Sequence, residues 1–334
     1  MATHRPFEPR PRRQRGAALL TAMIIVTLVA TLAAAMVWQQ WRAVQVESAE
    51  RARAQAAWIL SGALELAKLI LREDQKSRRP TALTEPWATP LAESRLSTFL
   101  AVDKANADDG PEAFLSGNIS DAQARYNLTN LVTPANGTVP AQVSQPELQT
   151  LERLCERVGV ETGVADRIAT GLRAAMTAPA GAPLLPRTTA QLSWLGIDPA
   201  TIQALQPYVV LLPVPTPLNV NTASKEVLGA VINTDQASAE RLVQIGQRTP
   251  FKDVQAFNAQ NPSPKAPVPP APRDTPATPA TPNITVHSDF FEVRGRLRLV
   301  DRVLVERSLV QRLPDLTSKV LQRERIAGLD QAGS

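Results

Sequence analysis

Residues 17–37, "AALLTAMIIVTLVATLAAAMV", run for 21 residues without a charged side chain, directly behind a cluster of arginines. At about 1.5 Å of rise per residue, a helix of that length covers roughly 31 Å, the thickness of a bilayer's hydrocarbon core. Its three hydroxyls, on Thr21, Thr27 and Thr31, can bond back to the helix's own carbonyls. Arg5, Arg10, Arg12, Arg13 and Arg15 precede the run and only Arg42 closely follows it. The positive-inside rule therefore directs the amino end to the cytoplasm and the rest of the chain away from it. The formal net charge of +5 also resides there: without those five arginines and Glu8, 31 basic side chains face 30 acidic ones. A basic balance that would elsewhere point to nucleic acid belongs here to the leader.

Three fates are open to such a run. It can be a secretory signal cut after Ala33, Ala34 and Ala35, an uncleaved anchor, or a helix retained after a cut at Gly16. The continuation favours the third. From Gln39 to about Arg79 there is no proline, and Ala56, Ile59, Leu60, Ala63, Ala67 and Ile70 recur at steps of three and four. One helix is thus expected over 17–79, transmembrane at 17–37 and amphipathic at 38–79, behind a cleaved basic leader at 1–16. A cut after the alanines would remove its hydrophobic half.

A basic leader, a glycine cleavage point and a mature start "AALLTAM" resemble the type IV prepilins and pseudopilins. The resemblance implies cleavage by a prepilin peptidase between Gly16 and Ala17 and methylation of the new Ala17 terminus. Most of that family carry glutamate at the fifth mature residue, where this chain has Thr21. The family's glutamate neutralises a neighbouring subunit's terminal amine, and an unpaired charge in hydrocarbon costs several kcal/mol. A subunit without it is suited to the first position, at a filament tip, which is the peculiarity of the protein K family of type II secretion minor pseudopilins. The alternative is that Thr21 is simply a tolerated helix residue.

Tyr126, Leu128 and Leu131 alternate with polar residues in "ARYNLTNLV", which reads as a short strand or ordered loop. Short helices follow at 146–158, 162–176, 188–195 and 199–212, with Thr189 and Asp198 as starts of the last two. Cys155 is the chain's one cysteine, in register with Leu148, Leu151, Leu154 and Val158, and reads as a packed core residue. His4 lies in the leader, so His287 stands alone, which argues against a histidine metal cluster or a serine–histidine triad. Asp103, Asp108, Asp109, Glu112 and Asp121 invite a calcium reading, but their spacing is not that of an EF-hand and they read as a solvated acidic loop.

The string "PLNVNTASKEVL" (217–228), with Thr222 as a helix cap, opens two helices followed by "PFKDVQAF". It resembles both the helix-hairpin-helix modules of DNA-binding proteins and the second SAM-like unit of the protein K family. The turn "INTDQAS" (232–238) has no glycine to open its backbone N–H groups and places Asp235 where a phosphate would sit, which disfavours anion binding. Residues 262–282 are proline-dense and read as an exposed spacer. Residues 289–312 alternate with Phe291, Val293, Leu297 and Leu299 on one face and Arg294, Arg296 and Arg298 on the other; a second run carries Val303, Val305 and Leu309. The pattern predicts a two-stranded hairpin on the carboxyl half of the long helix.

The expectation is an α+β protein: a long N-terminal transmembrane and amphipathic helix, then a pilin-like α/β body interrupted by a large helical, SAM-like insertion. The segments are the start of the body at 80–103, a first module at 104–213, a second, helix-hairpin-helix-like module at 217–261, the proline-rich loop at 262–282, a C-terminal hairpin at 283–313 and a tail at 314–334. The family resemblance implies a non-enzymatic subunit of the bacterial inner membrane, single-pass, with a cytoplasmic amino terminus and a periplasmic soluble part. Implied partners are the prepilin peptidase, other minor pseudopilins, the major pseudopilin and the membrane; no cofactor is expected, and calcium enters only through the family. The alternative is a membrane-tethered DNA-binding protein using 217–257.

Overall fold

The computed structural model describes residues 15–96, 113–137, 139–177, 181–261, 283–299 and 302–327. Two compact units divide the chain, residues 1–58 and 59–334. Helix α1 (Arg15–Lys76) belongs to both. In the first unit the side chains from Leu19 to Val46 stand exposed, and Glu47–Arg51 and Glu50–Arg53 pairs lie on the surface one turn apart. The helix stops at Lys76, three residues before the expected end, in a turn in which Arg78 has a positive φ of 51° ahead of Pro80.

The second unit holds the end of α1 against a sheet. Strands β1 (Leu91–Arg95) and β2 (Ala113–Asp121) are followed, in the insertion, by the two-residue strands β3 (Tyr126–Asn127), β4 (Val132–Thr133) and β5 (Gln142–Val143). Then come α2 (Gln145–Arg157), α3 (Gly163–Thr177), a 3₁₀ turn (Thr189–Leu195), α4 (Pro199–Leu205), β6 (Val209–Val210), β7 (Leu218–Asn219), α5 (Lys225–Val231), α6 (Gln236–Arg248), α7 (Val254–Gln260) and β8 (Ile284–Thr285). Strands β9 (Phe290–Leu299), β10 (Arg302–Arg312) and β11 (Ser318–Ala327) follow.

The sheet runs β1-β2-β9-β10-β11, with every neighbouring pair antiparallel. Leu64, Ala67 and Leu71 of α1 pack on Trp87, Phe291, Val293 and Val310. Trp87 meets Phe291 edge to face at 5.3 Å. The alternation in β9 decides which residues do this, because period-two side chains can bury only one face. Gly117 and Gly295 sit directly opposite each other in β2 and β9. A Cβ on Gly117 would lie 2.6 Å from the Arg294 carbonyl oxygen, and one on Gly295 would lie 3.0 Å from Leu60 Cδ2.

Two expected boundaries need correction. The first module was placed from 104, yet Ala113–Asp121 is β2, in the sheet between β1 and β9, so the insertion starts after Asp121. The expected hairpin at 283–313 and tail at 314–334 are also revised: β9 and β10 lie inside a five-stranded sheet, and β11 forms its far edge. "SKVLQRERIA" is dominated by charged and polar side chains, too little apolar alternation to reveal a strand; the backbone ladder with β10 binds it, while Val320 and Leu321 pack half-buried against the core. Residues 262–282, expected as a spacer, lie outside the described residues.

The insertion leaves the sheet after β2 and returns at β9. Its two helical parts share one hydrophobic core, from Leu128, Leu151 and Ile168 through Leu205 to Leu228, Leu242 and Phe257. Arg153 Nε donates to the Ala230 carbonyl at 2.9 Å, and Arg157 donates to that of Thr234, so α2 closes on α5 and its following turn. Short parallel pairs of β3 with β6 and of β7 with β8 bind the chain where it enters and leaves.

Candidate assembly and processing sites

Gly16 and Ala17, the expected processing junction, lie at the start of α1, and residues 1–14 fall outside the described residues. One turn further on, the Thr21 hydroxyl donates to the carbonyls of Ala17 and Ala18, both at 3.0 Å. Thr27 and Thr31 bond back in the same way. The apolar segment therefore asks for no polar partner, and its first ionisable side chain after Arg15 is Arg42. Its most apolar 18-residue window has a mean hydropathy of 2.4 with none of it buried. Trp38 and Trp41 lie 5.5 Å apart, tilted by 31°, where the run ends, the position at which amphipathic rings mark a membrane–water boundary.

A second constellation lies where the sheet meets the insertion. Asp121, fully buried at the end of β2, is surrounded by neutral donors: Thr222 Oγ1 and Ser288 Oγ at 2.6 Å, Asn219 Nδ2 at 2.9 Å and the Gln123 amide at 2.8 Å. Burial raises its pKa, which those bonds oppose. Asn219 also donates to the Thr81 carbonyl at 3.1 Å and accepts from the Asn221 amide, while Asn221 brackets Phe251 through both backbone groups. "NVNTA" is thus a clasp within the protein. Thr222, expected as a cap, is instead bound to Asp121, and Ser224 caps α5. The 3₁₀ turn is likewise capped one residue earlier than expected, by Thr188, whereas Asp198 caps α4 as read.

The sequence marked the string 217–228, with Thr222 as a cap, but not its partner: Asp121, expected in a solvated acidic loop, is buried at the end of β2, and residues 218–223 are buried on both faces.

The remaining candidates separate cleanly. Asp235 caps α6 by accepting from the Ser238 amide at 2.9 Å, which lowers its pKa; a carboxylate already fills the place an anion would take. Cys155 is buried in α2, and burial pushes its thiol up to about 11. His287 is exposed between β8 and β9. Of the row on β9, Arg296 and Arg298 reach Glu93 at 3.5 and 2.7 Å, and Arg298 lies 4.0 Å over Phe114. No group of three or more metal-ligating side chains occurs among the described residues, and Asp103, Asp108, Asp109 and Glu112 lie outside them.

Comparison with known proteins matches two parts of the insertion in tandem. Residues 124–214 and 218–275 each fit a family profile described as "Type II secretion system (T2SS), protein K". Type II secretion system protein K of Pseudomonas aeruginosa is 28% identical over 94% of this chain and 93% of its own length. The chain belongs to the type II secretion system protein K family. The Klebsiella pneumoniae member is 33% identical over 48% of this chain and 45% of its own. A chain of the crystal structure of the GspK-GspI-GspJ complex from enterotoxigenic Escherichia coli shares the fold, with a TM-score of 0.61 at 21% identity, covering 84% of this chain and 99% of that one. Protein K is a minor pseudopilin of type II secretion, a structural component and not a known enzyme, and the exposed apolar half of α1 suits a membrane-anchored one.

Proposed function

We propose that this protein K caps the tip of the type II secretion pseudopilus, starting its assembly and supporting export across the outer membrane. Its helix would remain in the inner membrane with the amino end cytoplasmic, after prepilin peptidase cuts between Gly16 and Ala17 and Ala17 is methylated. Other minor pseudopilins, and below them the major pseudopilin, are the neighbours this reading requires; the related structure is that of a GspK-GspI-GspJ complex.

The observation that carries the reading is Thr21, whose hydroxyl is used up within its own helix. It offers no charge to a neighbouring subunit's amine, so the helix suits a first position and no later one. The insertion between β2 and β9 supports the same reading sterically, because a bulky helical body fits above a wound filament better than inside it.

Sequencing the mature amino terminus from a host with prepilin peptidase is expected to return Ala17. Met36 would mean a conventional signal, Met1 an uncleaved anchor, and either would overturn the reading. Thr21→Glu is expected to impair secretion while leaving the folded body intact; unchanged secretion and unchanged binding to other minor pseudopilins would remove the argument from Thr21.

A further inference from the structure

Phe291 and Val293 of β9 and Val310 of β10 pack toward α1, so the alternate side chains of these strands turn to the opposite face of the sheet. Along β9 these are Glu292, Arg294, Arg296 and Arg298, spaced about 7 Å from one to the next. The register sets Arg294 directly across from Asn118 of β2 and Arg307 of β10, and Arg307 across from Glu324 of β11. The insertion covers one end of this face, where Val210 and Leu212 meet Phe290 and Leu309. Arg294, beyond that end, is exposed.

The carboxylates on this face are committed at its two ends. Arg296 and Arg298 reach Glu93 of β1 at 3.5 and 2.7 Å, and Arg125 and Arg307 share Glu292 at 2.8 and 2.7 Å. Burial works against its charge, yet the two arginines hold the Glu292 carboxyl below its ordinary range, so one negative charge faces two positive ones. Arg294 stands between the two groups with no ion pair and no side-chain hydrogen bond among the described residues. Like charges directly across a strand pair repel, and Arg294 against Arg307 is such a pair. Beside Arg307 the sheet and the insertion enclose a hollow of about 60 Å³, lined also by Glu324 and by Arg187, which has no ion pair among the described residues either. The face therefore keeps an excess of positive charge that its own neighbouring acids do not answer.

We propose that this face of the sheet, centred on Arg294, docks an extended acidic segment of a partner protein with carboxylates on alternate residues. Laid along β9, such a segment repeats its acids at the same spacing of about 7 Å as the arginine row. One carboxylate then answers Arg294. The next reaches Arg298, which gives Nε to Glu93 and keeps its outer Nη groups. The inference goes beyond tip capping and holds wherever in a pseudopilus the protein sits.

The test is fluorescence anisotropy of a rhodamine-labelled peptide of alternating glutamate and threonine, titrated with the full chain in maltoside micelles at about 50 mM salt. Arg294→Glu is expected to weaken binding roughly tenfold and Arg294→Ala roughly threefold. Arg173→Glu, which reverses an exposed arginine on α3, should stay within about twofold of the wild type. The leader's arginines add the same background to every variant, so the ratios report the face. Binding unchanged in Arg294→Glu overturns the proposal, and so do equal losses from Arg294→Glu and Arg173→Glu, which would mean attraction by net charge alone. Should Arg294→Glu fail to fold, Arg294→Ala decides by the same comparison. A peptide with the same glutamates gathered in one block should bind several-fold more weakly; equal binding overturns the extended segment. Duplex DNA that binds more tightly than the peptide and is lost in Arg294→Glu overturns the acidic protein partner.

Discussion

A buried carboxylate without a counter-ion depends on the donors aimed at it, and Asp121 has four, none of them charged. Asn219 is the one that also reaches the Thr81 carbonyl and the Ser288 hydroxyl, so its amide joins the sheet, the turn after α1 and the insertion. Removing it leaves buried acceptors unsatisfied, which costs about 1–3 kcal/mol for each such group. Asn219→Ala is therefore expected to destabilise the body by about 2–4 kcal/mol, read from the midpoint of urea unfolding. Ser224→Ala removes only an exposed cap and should cost about 1 kcal/mol or less, in the order opposite to one that treats the string as a helix start.

Among the elements, the facing strands β2 and β9 hold the tightest constraint. At Gly117 an added Cβ would strike a backbone oxygen, which can move only with its strand; at Gly295 it would press on the tip of Leu60, which can rotate away. Gly117→Ala is expected to cost about 1–3 kcal/mol and Gly295→Ala clearly less, by thermal or urea unfolding. Equal losses would mean that the strand crossing is looser than its geometry. The same sheet shows where pattern reading stops short. Strand β9 was legible because its apolar face is buried, but β11 was not, because this edge strand is held by its backbone ladder and packs Val320 and Leu321 only half-buried among charged side chains. Glu306 illustrates the tertiary side: it is 3% exposed and is bridged by Arg323 and Arg325 across the β10–β11 pairing.

For the whole molecule, the insertion resembles a nucleic-acid module in outline only. Asp235 occupies its helix terminus, and Arg153 and Arg157 are turned inward to carbonyls of the same core. No saturable binding of duplex DNA is expected at either 50 or 200 mM salt by fluorescence anisotropy. Binding that falls steeply between those two would mean a phosphate-contacting surface and would revive the tethered DNA-binding alternative.

The amino-acid order alone determined the long apolar helix, the neutral Thr21 and the capped helix start at Asp198. Each depends on residues within a few turns of one another, and the missing prolines and the helical period are local facts. Only the tertiary structure decided that "NVNTA" is buried against Asp121, that residues after Thr317 form the sheet's far edge, and that Asp74 of α1 pairs with Arg312 of β10. Those contacts join segments up to 238 residues apart, and a side chain's burial is set by what arrives from elsewhere in the chain, which no local pattern records.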